Sequence, residues 1–302
     1  MKESSNILTT ADFGSSWSRT ADFLELTKPR ITVLVVATTL VGFYVGAHRA
    51  ISFALLCHTL LGTALVASGA SAFNQYLERH LDAQMLRTVR RPLPAGRLQS
   101  GEALIFAVLI SSSGMIYLFA LVNPLTSLLS ALTFISYLFL YTPMKTRTWL
   151  CTLIGAVPGA LPVTMGWAAV NNSLSLGAWV LFAIVFFWQL PHFYAIGWMY
   201  REDYARAGFP MLPIIDLSGA RTSRQVNLYI IALLAVTVLP SLMGLAGNAY
   251  LGGAIALGLL FLTYGAFFSR LRDRSSARRL FLASICYLPI LLALMALDKV
   301  RA

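Results

Sequence analysis

The stretch that decides the fold is LLCHTLLGTALVASGASAF, residues 55–73, together with NQYLERHLDAQMLRTVRRPL, residues 74–93, which follows it directly. The first part contains no Asp, Glu, Lys or Arg, whereas the second contains two carboxylates and four arginines. A membrane-spanning helix needs about 20 mostly apolar residues. Residues 55–73 therefore predict such a helix, and the charge that follows it requires a separate explanation.

The whole chain has the composition of a membrane protein. Of its 302 residues 58% are hydrophobic and only 12% are charged, whereas about a quarter of the residues in a soluble domain are charged. Lipid offers no partner to unpaired backbone groups, so long apolar segments must be helical. We therefore predict an all-α polytopic bundle of nine transmembrane helices, at about 31–47, 51–73, 103–122, 125–143, 150–170, 176–199, 226–247, 249–268 and 280–297.

The basic residues predict the orientation of the bundle. Twenty of the 23 Lys and Arg residues lie before the first span or after every second span, and the other side holds only Arg49, Lys299 and Arg301. Because cytoplasmic loops carry the excess of Lys and Arg, the N-terminus is expected in the cytoplasm and the C-terminus outside. The net charge of +11 then reflects topology and attraction to the lipid bilayer, so no nucleic acid is expected as a partner.

The chain divides into a polar N-terminal segment and one membrane domain. Residues 1–25 contain Asp12, Asp22 and Glu25 and lack an apolar core, which predicts a polar cytoplasmic tail before a single transmembrane domain at 26–302. The two long charged connections, at about 74–101 and 200–225, each follow the second helix of a four-helix block. An internal duplication would produce this arrangement.

The first long connection has the residues of a diphosphate site. Asn74, Glu78 and Asp82 are four apart, so on a continuing helix they share one face. Mg²⁺ prefers a few carboxylates together with substrate phosphates. Arg87, Thr88, Arg90 and Arg91 follow, and guanidinium groups match phosphate oxygens in pairs. The alternative is a solvated, topology-setting loop whose acids are incidental.

Two other segments are expected at the same membrane face. YREDYARAGFPMLPIID, residues 200–216, repeats the combination of acids and bases, and YTPMKTRT, residues 141–148, supplies Lys145 and Arg147. A pocket with metal and phosphate at its mouth and apolar depth suits an isoprenyl diphosphate. Lys28 and Arg30 precede the first span, where they either bind substrate or anchor the helix at the interface.

These motifs resemble those of a known family. NxxxExxxD at 74–82 is similar to the first acidic motif of the intramembrane aromatic prenyltransferase superfamily. Three longer stretches resemble one branch, the heme O synthases: LTKPRITVLVVATTLVGFYVG at 26–46, DAQMLRTVRRPLPAGR at 82–97 and WQLPHFYAIGWMYREDYARAGFPMLP at 188–213. The resemblance runs from about residue 24 to about 297. His80 departs from the branch, where an acid is common.

The resemblance implies a reaction and roles for residues of this chain. The branch transfers the farnesyl group of farnesyl diphosphate to a vinyl group of heme b with addition of water, which gives heme O and diphosphate. It implies Mg²⁺ as cofactor, an inner-membrane location with cytoplasmic active-site loops, and contact with heme A synthase or a terminal oxidase. The expected metal ligands are Asn74, Glu78, Asp82 and Asp203. The expected substrate-binding residues are Arg87, Thr88, Arg91, Lys145, Arg147, Lys28, Arg30, His192 and Tyr200.

His192 is the histidine expected to bind heme iron. It lies in the apolar helix FFWQLPHFYAIGW on the cytoplasmic half, where Pro191 should distort the helix. Asp203 is eleven residues further on, which is about three helical turns, or roughly 16 Å. Imidazole is a common heme ligand. The alternative is a neutral histidine bonded to a neighbouring helix. Six aromatic residues of the apolar segments are candidate walls for the allylic cation: Phe134, Tyr137, Phe186, Phe187, Trp188 and Phe193.

Two other functions remain open from the sequence. One is a prenyltransferase that acts on a quinone precursor or another aromatic acceptor, for which an iron ligand such as His192 has no use. The other is a heme-handling or transport membrane protein without catalysis. Transporters more often carry polar sites near the bilayer midplane, whereas the central parts of these helices are nearly free of charge.

Overall fold

The computed structural model describes residues 11–47 and 50–300, and the architecture in these residues is all-α. In chain order the first helices are α1 Ala11–Leu26, α2 Pro29–Gly46, α3 Phe53–Asp82, α4 Ser100–Leu121 and α5 Pro124–Ile135, which continues through a π-helical turn at Ser136–Tyr141 into α6 Thr142–Met144. The remaining helices are α7 Cys151–Asn171, α8 Leu176–Met199, α9 Arg201–Arg206, α10 Leu212–Ile215, α11 Ala220–Leu242, α12 Asn248–Leu271 and α13 Arg274–Leu297.

The nine predicted membrane spans are confirmed. Within the described residues, nine helices are long and apolar enough to cross a membrane, with α5, the π-helical turn and α6 forming one of them. Helix α3 is longer than predicted, because it continues from its apolar part through Asp82. The first acidic motif therefore lies on a helix that emerges from the membrane. The chain is an integral membrane protein.

The first helices of the two blocks, α2 and α7, pack with their backbones almost in contact. A Cβ on Gly42 would lie 1.9 Å from the carbonyl oxygen of Val163, and one on Gly166 would lie 2.0 Å from that of Thr39. Small residues allow such approach between helices in lipid, where apolar burial alone gives no driving force. This contact joins the two halves of the bundle.

The other helices extend from this central pair. Within the first block α3 packs against α2 and α4, and within the second block α8 packs against α7 and α11. The ninth span, α13, packs against α12, α8 and α2. Neighbours in sequence are thus neighbours in space in both blocks. On the outside of α4, Ile105, Leu109, Ile116 and Phe119 are exposed, as expected for side chains that face lipid.

The second half of the N-terminal segment, predicted as a polar tail, forms a helix whose end packs against the membrane domain. Helix α1 ends at the fully buried Leu26, whose carbonyl oxygen accepts a 3.1 Å hydrogen bond from Gln75 Nε2. Arg97 binds the carboxylates of Asp22 and Glu25, at 3.2 and 2.6 Å. Asp22 and Glu25, two of the acids that predicted a polar tail, are partners of a distant arginine, which composition does not reveal. Residues 1–10 of the expected tail lie outside the described residues.

Candidate active site

The three residues of the first acidic motif lie on one face of the last turns of α3. All three are buried: Asn74 and Asp82 are each 1% exposed and Glu78 is 6% exposed. The spacing of four on a continuous helix brings them together, as the sequence predicts. Two buried carboxylates need cations or hydrogen-bond donors close by, and each of the three residues is contacted by a different basic side chain.

Lys145 is the partner of Glu78. Its Nζ lies 2.6 Å from Glu78 Oε1 and 4.6 Å from the centre of the Tyr141 ring. Burial alone would lower the pKa of Lys145, but the charge of Glu78 and its hydrogen bond raise that pKa well above its ordinary value. Lys145 is therefore a fixed cation beside the motif, held where the π-helical turn and α6 end.

Arg91 is the partner of Asp82. Its Nη1 lies 2.7 Å from Asp82 Oδ2, and the Thr88 hydroxyl donates a 2.8 Å hydrogen bond to the Asp82 carbonyl. Residues 83–99 form a series of turns and bends after α3 ends. Arg87 and Arg91 are four residues apart but do not share a helical face, because no helix forms here and Arg91 points back to α3. Thr88 is buried and closes this turn.

Lys28 is the partner of Asn74. Its Nζ donates a 2.9 Å hydrogen bond to Asn74 Oδ1, and Asn74 Nδ2 donates one of 3.2 Å to the Thr142 hydroxyl. Lys28 precedes α2 in the left-handed conformation, with φ of 47°. Burial, and then the charge of Arg91, lower its pKa to about 7. Lys28 thus lies inside the cluster, whereas Arg30 is exposed.

The second long connection meets the first through Arg87. This guanidinium lies over the rings of Tyr200 and Tyr204, 5.4 and 5.6 Å from their centres, and donates a 3.1 Å hydrogen bond to the Tyr204 hydroxyl. Asp203, on α9, forms an ion pair with Arg206 one turn later. The structure therefore brings the two connections into contact, as expected. The contact involves Tyr204, which the sequence analysis did not identify.

The donor set suits a metal ion that shares its ligands with a substrate. In the part of the chain that the structure describes, no three His, Cys, Asp or Glu side chains are grouped to hold a metal ion, so Asp203 does not complete such a group with Glu78 and Asp82. Two carboxylates and the Asn74 amide oxygen remain. Mg²⁺ commonly binds one or two carboxylates, with substrate phosphates and waters in its other positions. The residues present fit that pattern.

Two partners of the site were missed from the sequence. Thr142 bonds Asn74, and Tyr141 lies under Lys145. Both belong to YTPMKTRT, where Thr142 and Lys145 are three residues apart and would share a helical face. This spacing is the feature of the sequence that could have identified Thr142 as a neighbour of Lys145. Arg147, from the same segment, is exposed.

His192 lies between α8 and α13 in a cage of aromatic rings. Its ring centre is 5.2 Å from that of Trp188 and 5.0 Å from that of Phe281, and its Nδ1 is 2.7 Å from the Ser284 hydroxyl oxygen. Helix α8 continues through Pro191, so the proline does not interrupt the helix.

Aromatic side chains continue from the motif into the membrane. Phe73, directly before Asn74, packs edge-on against Phe134, with ring centres 5.9 Å apart. Both line an apolar cavity of about 250 Å³ between α3, α4 and α5. The rings of Tyr137 and Tyr141 stack at 5.7 Å. The charged cluster thus adjoins aromatic and apolar surface, as an amphiphile with a charged head requires.

Comparison with known proteins gives one family. Residues 35–288 match the UbiA prenyltransferase family. A protoheme IX farnesyltransferase of Solibacter usitatus is 48% identical over 287 residues, which cover 92% of this chain and 98% of the relative. One of Opitutus terrae is 44% identical over 287 residues, covering 94% of this chain and 97% of the relative.

Solved structures share the fold at low sequence identity. A digeranylgeranylglyceryl phosphate synthase superposes with a TM-score of 0.80 at 14% identity, covering 94% of this chain and 100% of that one. A UbiA homolog from Archaeoglobus fulgidus, bound to GPP and Mg²⁺, gives a TM-score of 0.64 at 15% identity, covering 91% of this chain and 99% of that one. The fold class and the family resemblance predicted from the sequence are confirmed.

Proposed function

We propose that this chain, which belongs to the UbiA prenyltransferase family, transfers the farnesyl group of farnesyl diphosphate to a vinyl group of heme b. The observation that carries the proposal is the buried cluster at the end of α3, where two carboxylates, an amide and three basic side chains converge. The choice of acceptor is supported by relatives 39–48% identical over most of the chain that are named protoheme IX farnesyltransferase.

The cluster can bind Mg²⁺ and diphosphate by exchanging partners. Asn74, Glu78 and Asp82 would hold the metal ion, which when bound supplies positive charge to the oxygens of the leaving diphosphate. Lys145 and Arg91 would then leave the carboxylates and bind the phosphate oxygens. Once bound to the diphosphate, these cations lie where negative charge develops, so they would stabilise the transition state with little further reorganisation during the reaction.

Other basic residues extend the same surface. Lys28 lies inside the cluster and would contact the diphosphate directly. Arg87 would bind it from the side of the second connection, held by Tyr200 and Tyr204. Asp203 would join the metal site after release from Arg206. The exposed Arg30 and Arg147 would guide the anion to the mouth of the site, since their charge acts over about 10 Å at moderate salt.

The reaction balances without a redox partner. The bond between C1 of the farnesyl group and the diphosphate oxygen breaks, and diphosphate leaves with the electron pair. C1 forms a carbon–carbon bond with the terminal vinyl carbon of heme b. The inner vinyl carbon, now cationic, takes a hydroxyl group from water, and one proton is released. Aromatic faces attract cations, so Phe73, Phe134 and Tyr137 are suited to line the path of the allylic group.

His192 would bind the heme iron as an axial ligand. It lies in the apolar helix α8, which leads directly into the second long connection. Its aromatic surroundings offer flat apolar surface to a porphyrin. Thr88 would act on substrate only indirectly, by holding the turn that aims Arg91.

The location follows from the same chemistry. We place the chain in the inner, cytoplasmic membrane, with the N-terminus and the active-site loops in the cytoplasm and the C-terminus outside, as the basic residues predict. The farnesyl chain that the reaction adds would keep heme O in the bilayer. Its consumer must therefore also be a membrane protein, and heme A synthase or a terminal oxidase would receive it by contact.

Product analysis with competing acceptors tests the function. Purified protein with Mg²⁺ and farnesyl diphosphate is given either ferrous heme b or a phenolic quinone precursor, and the products are separated and weighed by mass spectrometry. We expect a heme product heavier by one farnesyl group and one hydroxyl group. Asp82→Asn is the control, with turnover lower by orders of magnitude. Prenylation of the phenol alone would support a quinone-type prenyltransferase, and no product from either acceptor would favour a non-catalytic protein.

A further inference from the structure

We infer that Ser284, on α13, is a positioning residue for heme: its hydroxyl holds His192 in the tautomer that leaves Nε2 free to bind iron. This rests on the proposed function, which makes heme the substrate. Nothing in the sequence patterns or in the relatives' names points to Ser284. It is a fully buried serine in an apolar helix, 92 residues from His192 along the chain.

The direction of the hydrogen bond follows from counting protons. The Ser284 hydroxyl has one proton and lies 2.6 Å from the carbonyl oxygen of Phe281, which can only accept. Without that proton between them, two oxygen atoms at 2.6 Å would repel. The hydroxyl oxygen must therefore act as acceptor toward His192 Nδ1, 2.7 Å away. Nδ1 carries the proton, and in a neutral imidazole Nε2 then carries the lone pair.

The surroundings also fix the plane of the imidazole. Trp188 stacks on the ring with an interplanar angle of 26°, and Phe281 packs against it at 31°. Trp188 is itself held, because its Nε1 donates a 2.8 Å hydrogen bond to the carbonyl oxygen of Ser284. Rotation of the imidazole would displace these rings. Within the described residues, no hydrogen bond occupies Nε2 of His192.

This arrangement is the one that favours a metal-binding histidine. An acceptor on the Nδ1 proton orients the ring and makes Nε2 a stronger base, and loss of such a partner typically weakens metal binding or activity by about 10- to 100-fold. We expect loss of the Ser284 hydroxyl to weaken heme binding by about 10-fold.

Ser284→Ala removes the hydroxyl and keeps the backbone contact of Ser284. The Trp188 bond goes to the backbone carbonyl of Ser284, which alanine keeps. Ser276→Ala is a matched control, since Ser276 is also a buried serine of α13 whose hydroxyl donates to the carbonyl three residues earlier. Its carbonyl partner belongs to Asp273, at the start of the helix, so it does not involve His192.

Two measurements on the full-length protein test the inference. The first is ¹⁵N NMR of histidine-labelled protein without heme, which reports the imidazole tautomer. The second is the iron–histidine stretching frequency of the ferrous heme complex, by resonance Raman spectroscopy, together with the heme dissociation constant. We expect wild type and Ser276→Ala to show a protonated Nδ1 and one common frequency. Ser284→Ala should mix the tautomers, lower the frequency and raise the dissociation constant.

The outcomes separate this inference from the proposed function. An unchanged tautomer and an unchanged stretching frequency in Ser284→Ala would overturn it, even if the enzyme makes heme O. If His192→Ala binds heme with the Soret band of wild type, the role of the pair in heme binding is likewise overturned, while farnesyl transfer still stands. If Ser284→Ala changes the heme complex as expected but the wild-type protein makes no heme O, the proposed reaction is contradicted and this inference stands.

Discussion

Replacing Lys145 with methionine should leave Glu78 as a buried carboxylate without its cation. The two side chains are 17% and 8% exposed, and Nζ lies 2.6 Å from Oε1. Removing one partner of a buried ion pair costs about 3–5 kcal/mol. Because Lys145 retains some contact with solvent, we expect the lower end, about 3 kcal/mol, in the free energy of unfolding.

The double variant Glu78→Gln with Lys145→Met separates stability from catalysis. Replacing both members of a buried ion pair is often neutral, so the double variant should recover to within about 1 kcal/mol of wild type. Turnover should stay low by orders of magnitude, since the metal ligand and the phosphate-binding cation are both missing. Unfolding in mixed micelles, followed by tryptophan fluorescence, and a product assay measure the two quantities.

An exposed ion pair in the same chain provides the control. Arg19 and Glu102 lie 2.5 Å apart, but their side chains are 56% and 34% exposed. Exposed pairs contribute about 0–1 kcal/mol, so Arg19→Met should change stability by no more than that and leave turnover intact. Equal effects of Lys145→Met and Arg19→Met on stability, or restored turnover in the double variant, would refute the reasoning.

Three further changes probe other parts of the structure. Arg91→Lys should weaken farnesyl diphosphate binding about tenfold with heme binding unchanged, because a point charge cannot replace a guanidinium fork; equal loss of both would indicate a misfolded loop. Gly166→Ala should destabilise the bundle by about 1–3 kcal/mol in thermal unfolding, while Gly101→Ala, where the added Cβ meets nothing within 4 Å, should not. Asp216→Asn should cost about 2 kcal/mol at neutral pH. Burial raises the pKa of Asp216, but hydrogen bonds from the Thr222 amide and hydroxyl bring it below its ordinary value. The contribution of the ionised carboxylate to stability is therefore complete above about pH 4 and is lost as the pH falls through that lowered pKa. A stability difference between wild type and Asp216→Asn that stays constant across this range would contradict the assignment.

The spans and the first motif could be predicted because each depends on local sequence. Apolar length alone identifies a membrane helix, and a spacing of four places Asn74, Glu78 and Asp82 on one face whenever the helix continues. The sequence alone does not show that the helix continues into the charged segment, since the apolar run ends at Phe73. Helix α3 extends nine residues further.

The pairings across the site could not be predicted, because they depend on contacts between distant segments. Lys145 reaches Glu78 across 67 residues and Lys28 reaches Asn74 across 46. The different directions of Arg87 and Arg91 could not be predicted either, because they depend on the turns and bends at 83–98. The packing of helix α1 was missed for the same reason, since Arg97, the partner of Asp22 and Glu25, lies on a different segment.

The assignment of the first acidic motif as the diphosphate site is tested most directly by a structure of the protein with Mg²⁺ and a non-reactive thiolo analogue of farnesyl diphosphate. We predict that Asn74, Glu78 and Asp82 contact the metal ion, and that Lys145 and Arg91 have moved from the carboxylates to the phosphate oxygens. An analogue bound elsewhere in the bundle, with both ion pairs intact at the distances found here, would contradict the assignment.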